Sequence, residues 1–343
     1  MFKKNNSLFI TSVLCLIISF NTAIAQENSG AKISALGFFD YSYLLNGDDK
    51  GANALEFRRV YFTYENKISD NLKYKFQVDV ARDTEFKYYK SDSLKVNDNK
   101  LGVFLKNAKV DWNTGYGTVI LGMQGMNMFK VQEKTWGYRF IAKSAMDQYK
   151  FSSSADIAIG YANKFDKNVS FSAIVSNGTG YKKSENDKYK KVSTQLVYGN
   201  TGLDKKDGYN FGAVASFEPY EYKVGSEEST EMKTVFGVFA GLATSGLRIG
   251  TEFDYFNTAG PDLAQMIVSG YANYKLSHAL DVFGKVDFFD KNTDVDDDAT
   301  TAFIGGLVWN ATKGLRIAPN IRVLSPQVGD SESIFNVSCE FKI

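Results

Sequence analysis

The chemistry this sequence offers lies in charged residues set at two-residue spacing among apolar ones. Lys73, Lys75, Gln77 and Asp79 alternate with Leu72, Tyr74, Phe76, Val78 and Val80. Arg316 and Arg322 alternate with Leu315, Ile317, Ile321 and Val323, and Asp281, Lys285 and Asp287 alternate with Leu280, Val282, Val286 and Phe288. Arg59, Glu65, Lys109, Asp111, Arg248, Glu252 and Asp254 stand in similar surroundings. Facing rows of both signs would set a transverse field across a wetted space and separate polar from greasy solutes. The plainer reading is that they pair with one another and keep a wall wet. Neither reading breaks a bond.

A second constellation lies in residues 128–151, MFKVQEKTWGYRFIAKSAMDQYKF, which carry Lys130, Glu133, Lys134, Arg139, Lys143 and Asp147. A connection this long in a compact fold is usually functional. It reads as a constriction that sets size and charge selectivity, against the alternative of an external loop packed on a rim. Catalytic sets are thin. The only histidine, His278, falls in a Ser277-His278 turn without a nucleophile at useful spacing. The acidic run Asp294, Asp296, Asp297 and Asp298 lacks the glycine and terminal glutamate of an EF-hand loop and reads as solvated. No phosphate-cradling glycine loop or zinc spacing occurs, so no enzyme, cofactor or metal is expected.

The elements that must position these charges are strands. Segments of period two fall at 33–45, 54–67, 72–82, 101–113, 117–126, 153–165, 168–177, 190–199, 209–218, 232–243, 246–257, 264–276, 279–289, 300–311, 314–324 and 332–343. Tight turns alternate with longer polar connections at 46–53, 83–100, 127–152, 178–189, 219–231, 258–263, 290–299 and 325–331. The connection at 200–208 is longer than its short-turn side should allow. In the last segment Phe335, Val337, Cys339, Phe341 and Ile343 share one face, and Asn336, Ser338, Glu340 and Lys342 the other. A charged inner face suits no soluble sandwich but does suit a membrane barrel with lipid outside and water inside. The expected fold is all-β: a 16-stranded antiparallel transmembrane β-barrel with an inward-folded third outer loop.

Details fit that scheme. Trp112 and Trp309 fall near strand ends on the lipid-facing parity, as in an aromatic girdle. Segments 209–218 and 232–243 are small and apolar on both faces, so one face should meet a neighbouring subunit or an inward loop. Pro319 lacks a ladder donor and suggests a bulge or a slip in register. Phe256, Phe283 and Phe289 take the inner parity and could form an aromatic slide for sugars.

Residues 1–25 read as a signal peptide: Lys3 and Lys4, an apolar stretch over 8–20, then Ala23-Ile24-Ala25 before Gln26. Residues 26–343 would form the barrel domain. Of the 40 basic residues two leave with the leader, against 39 acidic ones. That balance argues against nucleic acid as a partner. Cys339 is then the one remaining cysteine, which excludes a disulfide framework.

Residues 55–81, LEFRRVYFTYENKISDNLKYKFQVDVA, resemble the phosphate-selective porin O and P family. Members carry a similar FRR strand, a short lysine and Ser-Asp turn, and a Tyr-Lys-x-Gln-x-Asp strand. The likeness continues in Leu105-Lys106-Asn107-Ala108 and in Ile120-Leu121-Gly122-Met123-Gln124. Arg139-Phe140 followed by Asp156-Ile157-Ala158-Ile159-Gly160 resembles the return from that family's third loop. It covers roughly the first 165 residues. The resemblance implies a sixteen-stranded, typically homotrimeric, passive channel with the third loop inside. Phosphate selectivity does not carry over, because this wall mixes in about as many carboxylates as cations.

The expected function is an outer-membrane porin of a Gram-negative bacterium, surrounded by outer-membrane lipid. It would pass small polar or ionic solutes, anions such as phosphate among them. The alternative is a plugged structural or adhesive barrel that binds partners through its outer loops.

Overall fold

The computed structural model describes residues 31–82, 87–91, 94–97, 101–166 and 168–343. The expected signal peptide lies outside the described residues. The wall strands are β1 (Lys32–Leu44), β2 (Asn53–Ser69), β3 (Leu72–Arg82), β6 (Leu101–Asn113), β7 (Thr118–Gly125), β8 (Ala155–Lys164), β9 (Val169–Ser176) and β10 (Lys191–Gly199). They continue as β11 (Gly208–Val224), β12 (Glu227–Thr244), β13 (Leu247–Thr258), β14 (Leu263–Lys275), β15 (Leu280–Asp290), β16 (Thr300–Thr312), β17 (Leu315–Pro326) and β18 (Glu332–Lys342). A separate hairpin of β4 (Lys87–Ser91) and β5 (Leu94–Asn97) lies between β3 and β6.

These sixteen strands pair antiparallel in chain order and close into one barrel. Closure joins the first strand to the last, from Leu36 opposite Lys342 to Leu44 opposite Ile334. Ala35 and Ile343 also exchange main-chain bonds at 3.2 and 3.0 Å. A closed ladder leaves no backbone edge facing lipid. Outward positions are apolar around the circumference, among them Leu105, Ile159, Val175, Leu196, Val238, Phe253, Val286 and Phe303, all exposed. Trp112 and Trp309 are each 50% exposed on this surface. Asp79, Glu252, Asp254, Asp287 and Ser338 take the opposite parity and are buried. Apolar outside and polar inside is the architecture of a membrane-spanning barrel. No helix among the described residues is long and apolar enough to cross a membrane.

Short turns close one end. Ser245 and Gly246, with φ of 49° and 85°, form a two-residue turn of the kind that matches strand twist. The longer turn at 200–207 buries Leu203 near Gly241 and Thr135, which explains its length.

Three expectations need correction. The predicted loop 219–231 is mostly strand, since β11 and β12 stay paired to Val224 opposite Glu227. Its charges signal solvent above the bilayer, not the end of pairing. The predicted loop 83–100 contains the β4–β5 hairpin. Pro319 causes neither bulge nor slip: the β16–β17 register is the same on either side of it, and the irregularity sits at Asn310–Thr312.

The lipid-facing parity yields a test. Val238, 55% exposed between Ala213 and Phe253, sits on the outer wall. Val238→Arg should cost about 2–4 kcal/mol if it lies near the bilayer midplane, measured by reversible urea unfolding in lipid vesicles.

Candidate functional site

Two bulges turn extra cations to the polar face. In β2 the outward residues are Leu55 and Phe57, then Val60, Phe62 and Tyr64, and parity changes across Arg58-Arg59 at a bulge opposite Phe38 and Phe39. In β6 they are Leu101, Val103 and Leu105, then Ala108, Val110 and Trp112, with the change across Lys106-Asn107 opposite Gln77 and Val78. A bulge sets two residues against one and re-aims a side chain. Arg58 therefore joins Arg59 inside, and Lys106 joins Asn107. Arg58 pairs with Asp40 at 2.5 Å. Arg59 pairs with Asp79 at 3.1 Å and donates to the Tyr61 hydroxyl at 3.0 Å. Lys106 donates to Ser154 and stands 4.0 Å from Asp79. The expectations missed Arg58 and Lys106; the parity changes on either side of them were the available signal.

Residues 126–154, between β7 and β8, hold helices α1 (Lys130–Trp136) and α2 (Ala145–Gln148). Trp136, Phe140, Ile141 and Met146 are wholly buried. They pack against polar-face positions of the wall, Trp136 edge-on to Tyr271 and Phe283, and Met146 in a cluster with Val214, Val235 and Phe239. This is why β11 and β12 carry apolar residues on both faces. Gly250 leaves room for the Tyr271 ring, and Gly237 for Asp254, Val214 and Met146.

Side chains of the wall fix the segment through its carbonyls. Arg58 donates to the carbonyls of Phe140 and Ile141, and Arg322 to that of Ile141 at 2.6 Å. Arg248 and Asn273 each donate to the Trp136 carbonyl at 3.2 Å, and the Tyr271 hydroxyl to that of Gln132 at 3.0 Å. Tyr138 donates to Asp281 at 2.7 Å, and the Ala145 amide to Glu252 at 3.2 Å.

The expected site residues divide into groups. Lys73, Lys75, Lys109 and Asp111 from the wall meet Lys130, Glu133 and Arg139 around one cavity of about 770 Å³. Its basic side chains are Lys32, Lys67, Lys73, Lys75, Lys106, Lys109, Lys130 and Arg139, against Glu65, Asp111, Glu133 and Glu340. Some are neutralised nearby, as in Lys109–Asp111 at 2.6 Å and Lys75–Glu65 at 3.0 Å. Arg139 is held by Glu133, by Asp147 at 3.3 Å and by the Tyr61 hydroxyl at 3.1 Å. Lys143 stands 3.6 Å from Asp147. Arg248 and Arg316 line a second cavity of about 570 Å³ beyond Gly137 and Tyr138. Lys134 lines a third of about 530 Å³, which it shares with Lys130 and Lys164.

Other residues have the expected parity but different surroundings. Glu252 and Lys285, 1% and 2% exposed, are buried rather than on a wetted wall, Glu252 under the Ala145 amide of the segment and Lys285 on Asp287. The three aromatic residues of the expected slide each meet a ring of the segment: Phe289 stacks on Tyr149, Phe256 packs on Phe151, and Phe283, which is buried, packs on Trp136 and Tyr138. His278 is exposed in the turn after β14. Among the described residues, no group of three or more His, Cys, Asp or Glu is placed to hold a metal ion.

No protein family and no curated protein matches the chain by sequence. Solved structures do match the fold. The chain is similar to OprB of Pseudomonas putida at high pH, with a TM-score of 0.69 and 9% identity over 95% of this chain and 97% of that one. An anion-selective porin from Comamonas acidovorans gives 0.64 and 12%, over 91% of this chain and 100% of that one. The trimer form of OmpT, an outer membrane protein of Vibrio cholerae, gives 0.62 and 13%, over 91% and 99%.

Hydrogen bonds from a charged donor contribute about 1.5–3 kcal/mol each. Replacing both Arg58 and Arg322 by Gln should therefore speed amide exchange at Ile141 and Ala142 by at least about tenfold. Hydrogen–deuterium exchange on the folded barrel in detergent measures it.

Proposed function

We propose that this barrel is an outer-membrane porin that passes small polar or charged solutes by diffusion and prefers anions. The observation that carries the reading is the cavity beside the wall strands β2, β3 and β6, whose basic side chains outnumber its acidic ones by eight to four. A passage lined with an excess of one sign raises the local concentration of the opposite ion without binding it tightly. In this reading residues 126–154 fold inward and narrow the lumen, Lys130, Glu133 and Arg139 line the narrow part, and no bond is broken. A trimer and a Gram-negative outer membrane belong to the same proposal, supported by a barrel fold similar to those of outer-membrane porins.

The finer resemblance to phosphate-selective porins rests on residues 55–81, and the inward Arg58-Arg59 pair supports it. The four carboxylates in the cavity oppose strong selection of a dianion, so phosphate is expected to permeate as one anion among several.

In planar bilayers with a potassium chloride gradient, the reversal potential should show chloride preference. Lys73→Gln, Lys75→Gln and Lys109→Gln together should lower the chloride-to-potassium permeability ratio about three- to tenfold at low salt. A cation-selective parent channel would sink the proposal.

The same preference should depend on pH. The Lys130 ammonium lies against Gly125 at the end of β7 and faces the cavity, where solvation of a charge is restricted. With Lys109, Lys134 and Lys75 adding repulsion, its ammonium is lowered to about 8. A lowered ammonium is charged below that value and neutral above it, so the cavity loses a positive charge as pH rises from 7 to 9. Chloride preference should fall over that interval in the parent and fall measurably less in Lys130→Gln, read from reversal potentials at each pH.

A further inference from the structure

Lys106, Arg139 and Tyr61 line the first cavity, and the groups next to them on the long-loop side are Arg59, Asp79 and Tyr181. The Asp79 carboxylate is wholly buried there. Three groups converge on its Oδ2: Arg59 at 3.1 Å, Lys106 at 4.0 Å and the Tyr181 hydroxyl at 2.7 Å. The Lys106 ammonium also lies 3.9 Å from the centre of the Tyr181 ring, within cation–π range.

Most of these groups are held by the wall or by fixed partners. Arg59, Tyr61, Asp79 and Lys106 stand on β2, β3 and β6, whose ladders are continuous in the closed wall. Arg139 is tied to Glu133, Asp147 and Tyr61. Tyr181 differs, because it comes from the connection after β9 and reaches sideways over β8 toward β3. Its main chain is fixed independently of its ring: its amide donates to the Ala155 carbonyl at 3.0 Å, and the Gly178 amide donates to Asp156 at 2.7 Å. Rotation about its own side-chain torsion therefore lifts the phenol off Asp79 without breaking the backbone bonds that hold the segment.

We infer that Tyr181 is the gate on the outer side of the cavity, closed by its hydroxyl on Asp79 and its ring on Lys106. The inference rests on the porin reading and adds the residue that controls passage. In the closed position the phenol covers the Arg59 and Lys106 cations beside Asp79 that an incoming anion would use. In the open position the phenol turns to water, and Arg59 and Lys106 become accessible from outside.

Single-channel recording of the parent, Tyr181→Phe and Tyr181→Ala tests it, with folding of each checked by circular dichroism. Phenylalanine keeps the ring and loses the bond to a carboxylate, so the ratio of open to closed time should rise about ten- to a hundredfold. Alanine removes both contacts together with the edge contact of the ring with Phe104, and should abolish the closed dwells and raise unitary conductance. A silent parent with a conducting alanine variant would also support the gate. If all three conduct with the same dwell times and conductance, the gate is wrong and the porin reading stands. If none conducts, the porin reading fails and takes the gate with it.

Discussion

A backbone amide inside a bilayer has no water to bond, and that constraint decides the rest of this molecule. The chain meets it by returning its last strand to its first, down to the reciprocal bonds of Ala35 and Ile343. Once the ladder is closed, each side chain has two choices, lipid or lumen. Charged residues can take only one of them. The distribution of Arg, Lys, Asp and Glu along the polar face thus follows from closure, before any question of what the lumen does.

The segment at 126–154 uses the same wall in a second way. Its contacts with Arg58, Arg322, Arg248, Asn273 and Tyr271 all run from wall donors to its own carbonyls. Carbonyls are present whatever the residue type, so these particular contacts do not depend on which side chains the segment carries there. Its buried aromatic residues add apolar contact on the β11–β16 side. Lys130, Glu133 and Arg139 face the cavity from this segment, Arg139 anchored by Glu133, Asp147 and Tyr61.

The period-two alternation made the strands legible in the sequence because lipid and water enforce it at nearly every position. The sixteen wall strands were placed from it, and so was the parity of Arg59, Lys75, Lys109 and Arg322. It failed where another requirement was stronger. Beyond the bilayer, strands need no apolar face, so the outer halves of β11 and β12 read as loop. At Arg58 and Lys106 the alternation breaks, and a period-two reading sends one residue of each basic or polar pair to the wrong side. Parity also cannot say what covers an inner side chain. Phe256, Phe283 and Phe289 were placed on the correct face, but the segment over them was not visible from their spacing, nor was the reach of Tyr181 to Asp79 across about a hundred residues of chain.

The tall β11–β12 hairpin carries one more implication. Its ladder to β10 ends at Phe217 and its ladder to β13 at Lys233, yet the two strands remain paired to Val224 and Glu227. Above the rim they bear free strand edges in water, the feature by which sheets of separate molecules join. Glu221, Lys223, Glu227, Glu228 and Glu231 cluster on this stretch. A foreign strand approaching it would have to strip water from several charges for each bond gained, which keeps neighbouring barrels from knitting together through their tips.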